Sequence, residues 1–274
     1  MSGASGCGRV VRPAAVAGQF YPSRRADLDA AVRRLLDAAE GVRDGAAAYV
    51  VPHAGYVYSG HVAAHVFRRV GQAPPARVLL LGPTHRVGCR GLALPGADAF
   101  ATPLGEVEID PDLAGVVAAL PAVATRPDVH ADEHALEVQL PFLQVVAPGV
   151  RVLPVCAGDA TPDDVAGVID AVLRFDPATL VLVSSDLSHY HPDAEARALD
   201  AETLAQVLRL DGPVHHRRAC GASPLNGLLV TAARRGWRPR VLASATSADT
   251  VGDRDRVVGY AAIEFRQDGP DGAS

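Results

Sequence analysis

Three histidines stand where short apolar runs give out. Tyr49-Val50-Val51 passes into Pro52-His53-Ala54-Gly55-Tyr56, Val78-Leu79-Leu80-Leu81 into Gly82-Pro83-Thr84-His85, and Leu180-Val181-Leu182-Val183 into Ser184-Ser185-Asp186-Leu187-Ser188-His189. One such histidine is ordinarily a loop residue hydrogen-bonded for structural reasons, because imidazole is a group of intermediate burial. Three at equivalent places mean more. Imidazole is the commonest transition-metal ligand and also titrates near neutral pH, so the set fits a metal centre with a proton-transfer group beside it. Cys220, in Ala219-Cys220-Gly221-Ala222-Ser223-Pro224, adds a candidate sulfur ligand. Pro224 suits a first helical position and Ser223 an N-cap. That would set the thiol near the positive end of a helix dipole, where the ligating thiolate form is favoured. Cys7, Cys89 and Cys156 lack such a setting and read as structural, and no Cys-x-x-Cys pair points to a zinc ribbon or a disulfide framework.

Residues so far apart in the chain must be gathered by the fold. Apolar runs of strand length alternate with helix-period segments almost from end to end, which predicts an α/β fold: one domain over 9–266, its central sheet largely parallel or mixed and flanked by helices. The strands are expected at Ala48–Val51, Arg77–Leu81, Arg151–Val155, Leu180–Ser184, Val241–Ala245 and Val257–Phe265. The helices are expected at Ala26–Ala39, Gly60–Val70, Asp112–Leu120, Glu133–Val146, Pro162–Arg174, Ala194–Leu210 and Ser223–Arg235. Ligands of open α/β sheets bind outside the carboxyl ends of the strands, where the three histidines fall. The Gly/Ser/Asp-rich tails, 1–8 and 267–274, are read as disordered.

Composition narrows the function. With 26 basic residues against 31 acidic and a net charge of −5, the 274-residue chain offers no basic field for a nucleic acid. All of the basic residues are Arg, which excludes Schiff-base and Walker-type lysine chemistry. No signal-like segment and no run of ~18 apolar residues occurs, so a cytoplasmic protein with no membrane contact is expected.

Seven motifs occur in a family order: Gly18-Gln19-Phe20-Tyr21-Pro22, Pro52-His53-Ala54-Gly55-Tyr56, Gly82-Pro83-Thr84-His85, Thr102-Pro103-Leu104-Gly105, Glu133-His134-Ala135-Leu136-Glu137-Val138-Gln139-Leu140-Pro141, Ser184-Ser185-Asp186-Leu187-Ser188-His189 and Val258-Gly259-Tyr260. With them the chain resembles the MEMO family over about 18–265, and looks like its prokaryotic branch, often labelled AmmeMemoRadiSam system protein B. The resemblance implies a LigB-like fold, similar to the class III extradiol non-haem iron dioxygenases, with a metal pocket at the strand ends. It implies His53, His85 and Cys220 as metal ligands and His189 as a catalytic acid/base, with Asp186 placed to orient His189 through a hydrogen bond. The dioxygenases hold iron with two histidines and a carboxylate; sulfur in the third place moves preference toward copper(I) or zinc and makes the site oxidisable. The implied cofactor is therefore iron(II) or copper, with zinc acceptable. The implied function is an oxidoreductase on a small aromatic or phenolic molecule, or a redox protein. The alternative is a non-enzymatic module that binds a small molecule or peptide in the same pocket. AmmeCR-type and radical SAM proteins are implied as pathway partners. Whether His134, Glu137 and Gln139 line the pocket is left open.

Other patterns compete. His130-Ala131-Asp132-Glu133-His134 satisfies H-x-x-E-H, which on a continuous helix would make a zinc metallohydrolase of His130, Glu133 and His134. Asp132 reads instead as an N-cap, leaving His130 in the loop before the helix. His61 and His65 share a helical face but lack a third ligand. His215-His216-Arg217-Arg218 reads as solvated surface, and Asp249, Asp253 and Asp255 around Gly252 as a turn.

Overall fold

The computed structural model describes residues 8–40, 45–251 and 253–267. Cys7, Gly252 and the tails 1–7 and 268–274 lie outside the described residues. In chain order the elements are β1 (Val11–Arg12), α1 (Arg25–Ala38), β2 (Ala48–Val51), α2 (Tyr56–Val70), β3 (Arg77–Pro83), β4 (Leu92–Leu94), β5 (Ala99–Thr102), β6 (Gly105–Glu108), α3 (Pro111–Ala118) and β7 (Val123–Thr125). They continue with α4 (Pro127–Ala131), a 3-10 turn (Glu137–Gln139), α5 (Leu140–Val146), β8 (Arg151–Ala157), α6 (Pro162–Phe175), β9 (Leu180–Ser184), β10 (His189–His191), α7 (Asp193–Leu208), α8 (Ala222–Arg235), β11 (Trp237–Thr246) and β12 (Val257–Gln267).

Nine strands form the main sheet in the order β10-β12-β2-β9-β3-β8-β4-β7, with β11 on β12. The four at its centre, β2, β9, β3 and β8, are parallel neighbours. Their residues are buried almost without interruption, as continuous Val/Leu runs require when both faces of a strand are covered. β12 joins β2, and β4 joins β8, antiparallel, so the sheet is mixed. α1, α2 and α5 pack together as one cover, and α3, α6 and α8 as another. A separate small sheet, β1-β5-β6, ties the N-terminal segment to residues 99–108. Its strands of two to four residues carry too short a pattern to be read from sequence. Gln267, expected in the C-terminal tail, closes β12. Among the described residues no helix is long and apolar enough to cross a membrane.

One predicted helix is broken. Glu133–Val146 is not continuous: Pro127 opens the short α4, and Asp132 lies at its C-terminal cap rather than at an N-cap. The helical path resumes only at the 3-10 turn and α5. Pro141 has no N–H to give back to Glu137, so a regular helix cannot run through it. The carboxylates of Glu133 and Glu137 are meanwhile taken by long-range partners.

α6 illustrates local and tertiary signals agreeing. Thr161 and Asp164 form a capping box ahead of Pro162, and Val165, Val168, Ile169 and Val172 make its buried stripe. α8 lies close against it at Gly227, where an added Cβ would stand 2.3 Å from Val165 side-chain carbons. Gly227→Ala is therefore expected to cost about 1–3 kcal/mol by overpacking, read as a lowered urea midpoint. A midpoint equal to that of the unsubstituted protein would mean that the two helices separate freely.

Candidate metal centre

His53 follows β2 by one proline, His85 follows β3 by one threonine, and Ser185, Asp186 and His189 follow β9. β9 lies between β2 and β3, so these loops emerge side by side. Cys220 comes from the turn before α8. Gly221 lets that turn lie against the end of β9, where a Cβ would meet Ser185 Cβ at 2.5 Å and the Ser184 carbonyl oxygen at 2.6 Å. The Asp186 N–H points at Cys220 Sγ (3.2 Å), and the Cys220 N–H donates to the Asp186 carbonyl (3.2 Å). The structure thus brings His53, His85 and Cys220 together, one ligand atom from each lying within 4.8 Å of the others. Sγ is 3.1 Å from His53 Nε2, and the imidazole centroids of His53 and His85 are 5.1 Å apart.

Hydrogen bonds settle which nitrogen each imidazole presents. The Ser184 hydroxyl donates to the Ala135 carbonyl (2.7 Å), and Gln139 Nε2 donates to Ser184 Oγ (2.9 Å) and to the Pro52 carbonyl (3.0 Å). With its only proton used, Ser184 must accept from His53 Nδ1, 2.9 Å away. His53 Nε2 therefore keeps its lone pair on the side of the sulfur. At His85, Nδ1 donates to Glu133 Oε1 (2.9 Å) while the backbone N–H donates to Oε2 (2.5 Å), so in the neutral ring it is Nε2 that carries the lone pair. Burial alone would raise the Glu133 carboxyl, but the hydrogen bond and charge of His85 and the Ala135 N–H outweigh it and bring it down to about 2. Two imidazole nitrogens and a sulfur fit a transition-metal ion by the chemistry of their donors.

Electrostatics correct one expectation. The thiol of Cys220 is not depressed: burial pushes it up, and the neighbouring Asp186 adds to the rise. α8 begins at Ala222, with Ser223 and Pro224 inside its first turn, and the helix end does not offset that desolvation. His53 is likewise pushed down to about 3, by burial first and then by His85. Asp186 also differs from its expected task. One oxygen accepts the His53 N–H (2.7 Å) and the other lies 4.0 Å from His53 Nε2, so Asp186 serves His53. His189 is oriented by the Leu187 carbonyl, to which its Nδ1 donates at 2.8 Å. Its ring is still near enough to act electrostatically on both His53 and Asp186.

The three residues left open separate. His134 lies at the site: its ring stacks on His85 at 4.5 Å, meets His53 edge-on at 5.5 Å and is backed by Phe20 at 4.6 Å. Gln139 acts on His53 through Ser184. Glu137 is scaffold, fully buried beneath Arg12, the Tyr21 hydroxyl and the N–H groups of Ala15 and Val16. His130 is scaffold too, its Nε2 on the Ala93 carbonyl (2.8 Å) and its Nδ1 at Cys156 Sγ (3.6 Å), so the His130/Glu133/His134 zinc reading does not hold. His61 and His65 join no candidate metal group among the described residues. Asp253 accepts the Asp255 N–H (3.1 Å), as a turn residue would. A cavity of about 380 Å³ opens beside Cys220, lined also by Thr84, Cys89, Asp159, His216 and Ser223. Cys89, read from the sequence as structural, and His216, read as solvated surface, thus share the wall of this cavity with Cys220. A larger cavity of about 460 Å³ around Tyr21, Arg34 and Tyr56 contains none of the candidate ligands.

An α/β protein in which the ends of parallel strands bring two histidines to a cysteine from the turn before α8 belongs to the class of mixed-sheet proteins with a candidate mononuclear metal site. Residues 12–264 match the model of the Memo family, described as Memo-like protein, and the chain belongs to that family. It is 36% identical over 267 residues to a MEMO1 family protein of Archaeoglobus fulgidus, covering 92% of this chain and 98% of the relative. It is 34% identical to one of Methanosarcina mazei, with the same coverage, and 36% identical to one of Aeropyrum pernix, covering 92% of this chain and 99% of that relative. The crystal structure of the uncharacterized protein JW3007 from Escherichia coli K12 shares the fold, with a TM-score of 0.55 at 12% identity over 79% of this chain and 98% of that one.

Two outcomes test this geometry. Ser184→Ala leaves the His53 Nδ1–H without its acceptor, and zinc(II) affinity should fall roughly 10- to 100-fold, measured by competition with a chelator; unchanged affinity would detach Ser184 from the site. Because the free thiol is raised, it stays protonated at neutral pH, and ion uptake there should release about one proton per ion. Affinity should then rise as pH rises, as recorded with an indicator in weak buffer. Uptake without proton release would mean that sulfur is not a ligand.

Proposed function

We propose that this Memo family chain holds one redox-active ion through His53 Nε2, His85 Nε2 and Cys220 Sγ, and acts as a metal-dependent oxidoreductase on a small aromatic or phenolic molecule. The observation that carries the reading is the commitment of both Nδ1 protons, to Ser184 and to Glu133, which leaves two lone pairs and a sulfur facing one another. Imidazole with thiolate suits copper, iron(II) or zinc, and oxidation chemistry favours the first two. Once bound, such an ion would supply Lewis acidity and one-electron chemistry to a ligand beside it.

The chain's own residues supply the rest. Glu133 keeps the His85 ring in place and its Nδ1 proton held. Ser184, itself held by Gln139 and Ala135, does the same for His53. His189, with Nδ1 bound to the Leu187 carbonyl, has Nε2 free to take a phenolic proton and return it. Asp186, buried and with its carboxyl held above the ordinary range by that burial, is placed to balance charge gained by its histidine neighbours. The cavity beside Cys220, about 380 Å³, is within the range of roughly 300–1,000 Å³ common for small-molecule sites.

The test is a pair of variants loaded with iron(II) or copper(I) and assayed for oxygen uptake with catechols and related phenols. His189→Ala should keep most of its metal and lose ~100-fold or more of the turnover, whereas His53→Ala should lose both. Equal metal loss in the two would make His189 a ligand. Tight metal binding with no turnover of any phenol, by any of the proteins, would favour the non-enzymatic reading, a pocket that binds a small molecule or peptide.

A further inference from the structure

Beside the thiolate group lies a second cluster with donors of its own. Glu133 Oε1 is 2.9 Å from His85 Nδ1 and 3.3 Å from His134 Nδ1. Donors sharing one ion at ~2.0–2.2 Å in tetrahedral array stand roughly 3.3–3.6 Å apart, so these separations are close to those of a coordinated set. Ligand atoms of all three residues lie within 4.8 Å of one another. His134 Nδ1 is buried and has no hydrogen-bond partner, which a polar atom out of water tolerates poorly. The ring cannot easily turn away from Glu133. His85 stacks on it, Phe20 packs against it at a tilt, and the His134 backbone N–H is bound to the same carboxylate oxygen at 2.9 Å.

We infer that Glu133 Oε1, His134 Nδ1 and His85 Nδ1 form a second metal position, for a borderline divalent ion such as zinc(II) or cobalt(II), alternative to the thiolate position. Two imidazoles and a carboxylate are a common donor set for such ions. His85 belongs to both positions, and that sets their relation. A neutral imidazole carries one ring proton. With that proton on Nδ1, held by Glu133, the Nε2 lone pair serves the position with His53 and Cys220. With it on Nε2, the Nδ1 lone pair serves the position with Glu133 and His134. One ring therefore admits one ion at a time, and its tautomer selects where the ion sits. This goes beyond the proposed oxidoreductase, because the second position needs neither His53 nor Cys220.

The experiment uses the full chain carrying Cys220→Ala, titrated with zinc(II) while the histidine ring-nitrogen resonances are followed by NMR. One equivalent should bind, shifting the rings of His134 and His85 and leaving His53 unmoved. Adding His134→Phe, which keeps an aromatic ring against Phe20 and His85, should weaken that binding at least a hundredfold. Absence of binding in Cys220→Ala, a shift at His53 in place of His134, or undiminished binding after His134→Phe would overturn the inference. If the double variant fails to fold, the resonances of Cys220→Ala alone decide. In the unsubstituted protein, cobalt(II) should bind once per chain, and two ions bound together would overturn the selection by tautomer. A thiolate-to-cobalt absorption band reports the first position separately: binding without that band would speak for the second position and against the thiolate centre.

Discussion

Val51 pairs with Ser184 and Leu81 pairs with Val183, so β2, β9 and β3 end almost level with one another. Parallel neighbours lie ~4.8 Å apart, and residues placed shortly after their ends must therefore converge within a few ångströms of that spacing. His53, Asp186 and His85 have no other course open to them once the three strands are paired. Because β9 comes late in the chain and inserts between β2 and β3, the site cannot exist before the centre of the sheet is complete. Cys220 depends on the same alignment, since its turn rests on the Ser184-Ser185-Asp186 segment through Gly221 and through reciprocal contacts with the Asp186 backbone.

Pairing brings the residues near; buried polar groups then decide how they face. Glu133 accepts four hydrogen bonds, from the backbone and ring of His85 and from the N–H groups of His134 and Ala135. A buried carboxylate is costly unless it is satisfied in this way, and one so satisfied is rigid. That satisfaction is won at the expense of regular structure: residues 132–136 leave the helical path so that backbone N–H groups and a ring can point at one oxygen. The same segment lends the Ala135 carbonyl to Ser184, so a single irregular stretch orients both histidines.

This explains what could and could not be read in the sequence. Continuous apolar runs such as Val78–Leu81 and Leu180–Val183 are visible because burial on both faces leaves no alternation to confuse them, and the residues after them, His53, His85 and Asp186, were visible for the same reason. Glu133–Val146 misled because its apolar residues do fall at helical spacing, while the long-range partners of Glu133 and Glu137 lie 48 residues or more away. The wrong sign for Cys220 has a similar origin. A helix terminus can be inferred locally, but the desolvation that outweighs it belongs to the assembled core. His134 and Gln139 stood within a recognisable motif, yet their division of labour, with Glu137 turned to Arg12 and Tyr21 instead, follows from how that motif is bent.

Burial keeps charge off several groups of the free site. Burial presses His53 and His134 toward their uncharged forms and the Cys220 thiol toward its protonated one, which leaves Glu133 as the charge most securely held. Here two imidazoles meet a thiol, His53 and the sulfur out of water and His85 open to it, with the thiol proton within reach of His53 Nε2 at 3.1 Å. Such a cluster would be more cheaply filled by apolar side chains if stability were its only purpose. A divalent ion changes the balance, because it displaces the proton from sulfur and takes up the nitrogen lone pair that the proton had faced. The direction of the burial effects, each disfavouring a charged ligand in the ion's absence, therefore fits a pocket whose polar groups are satisfied when a cation is present.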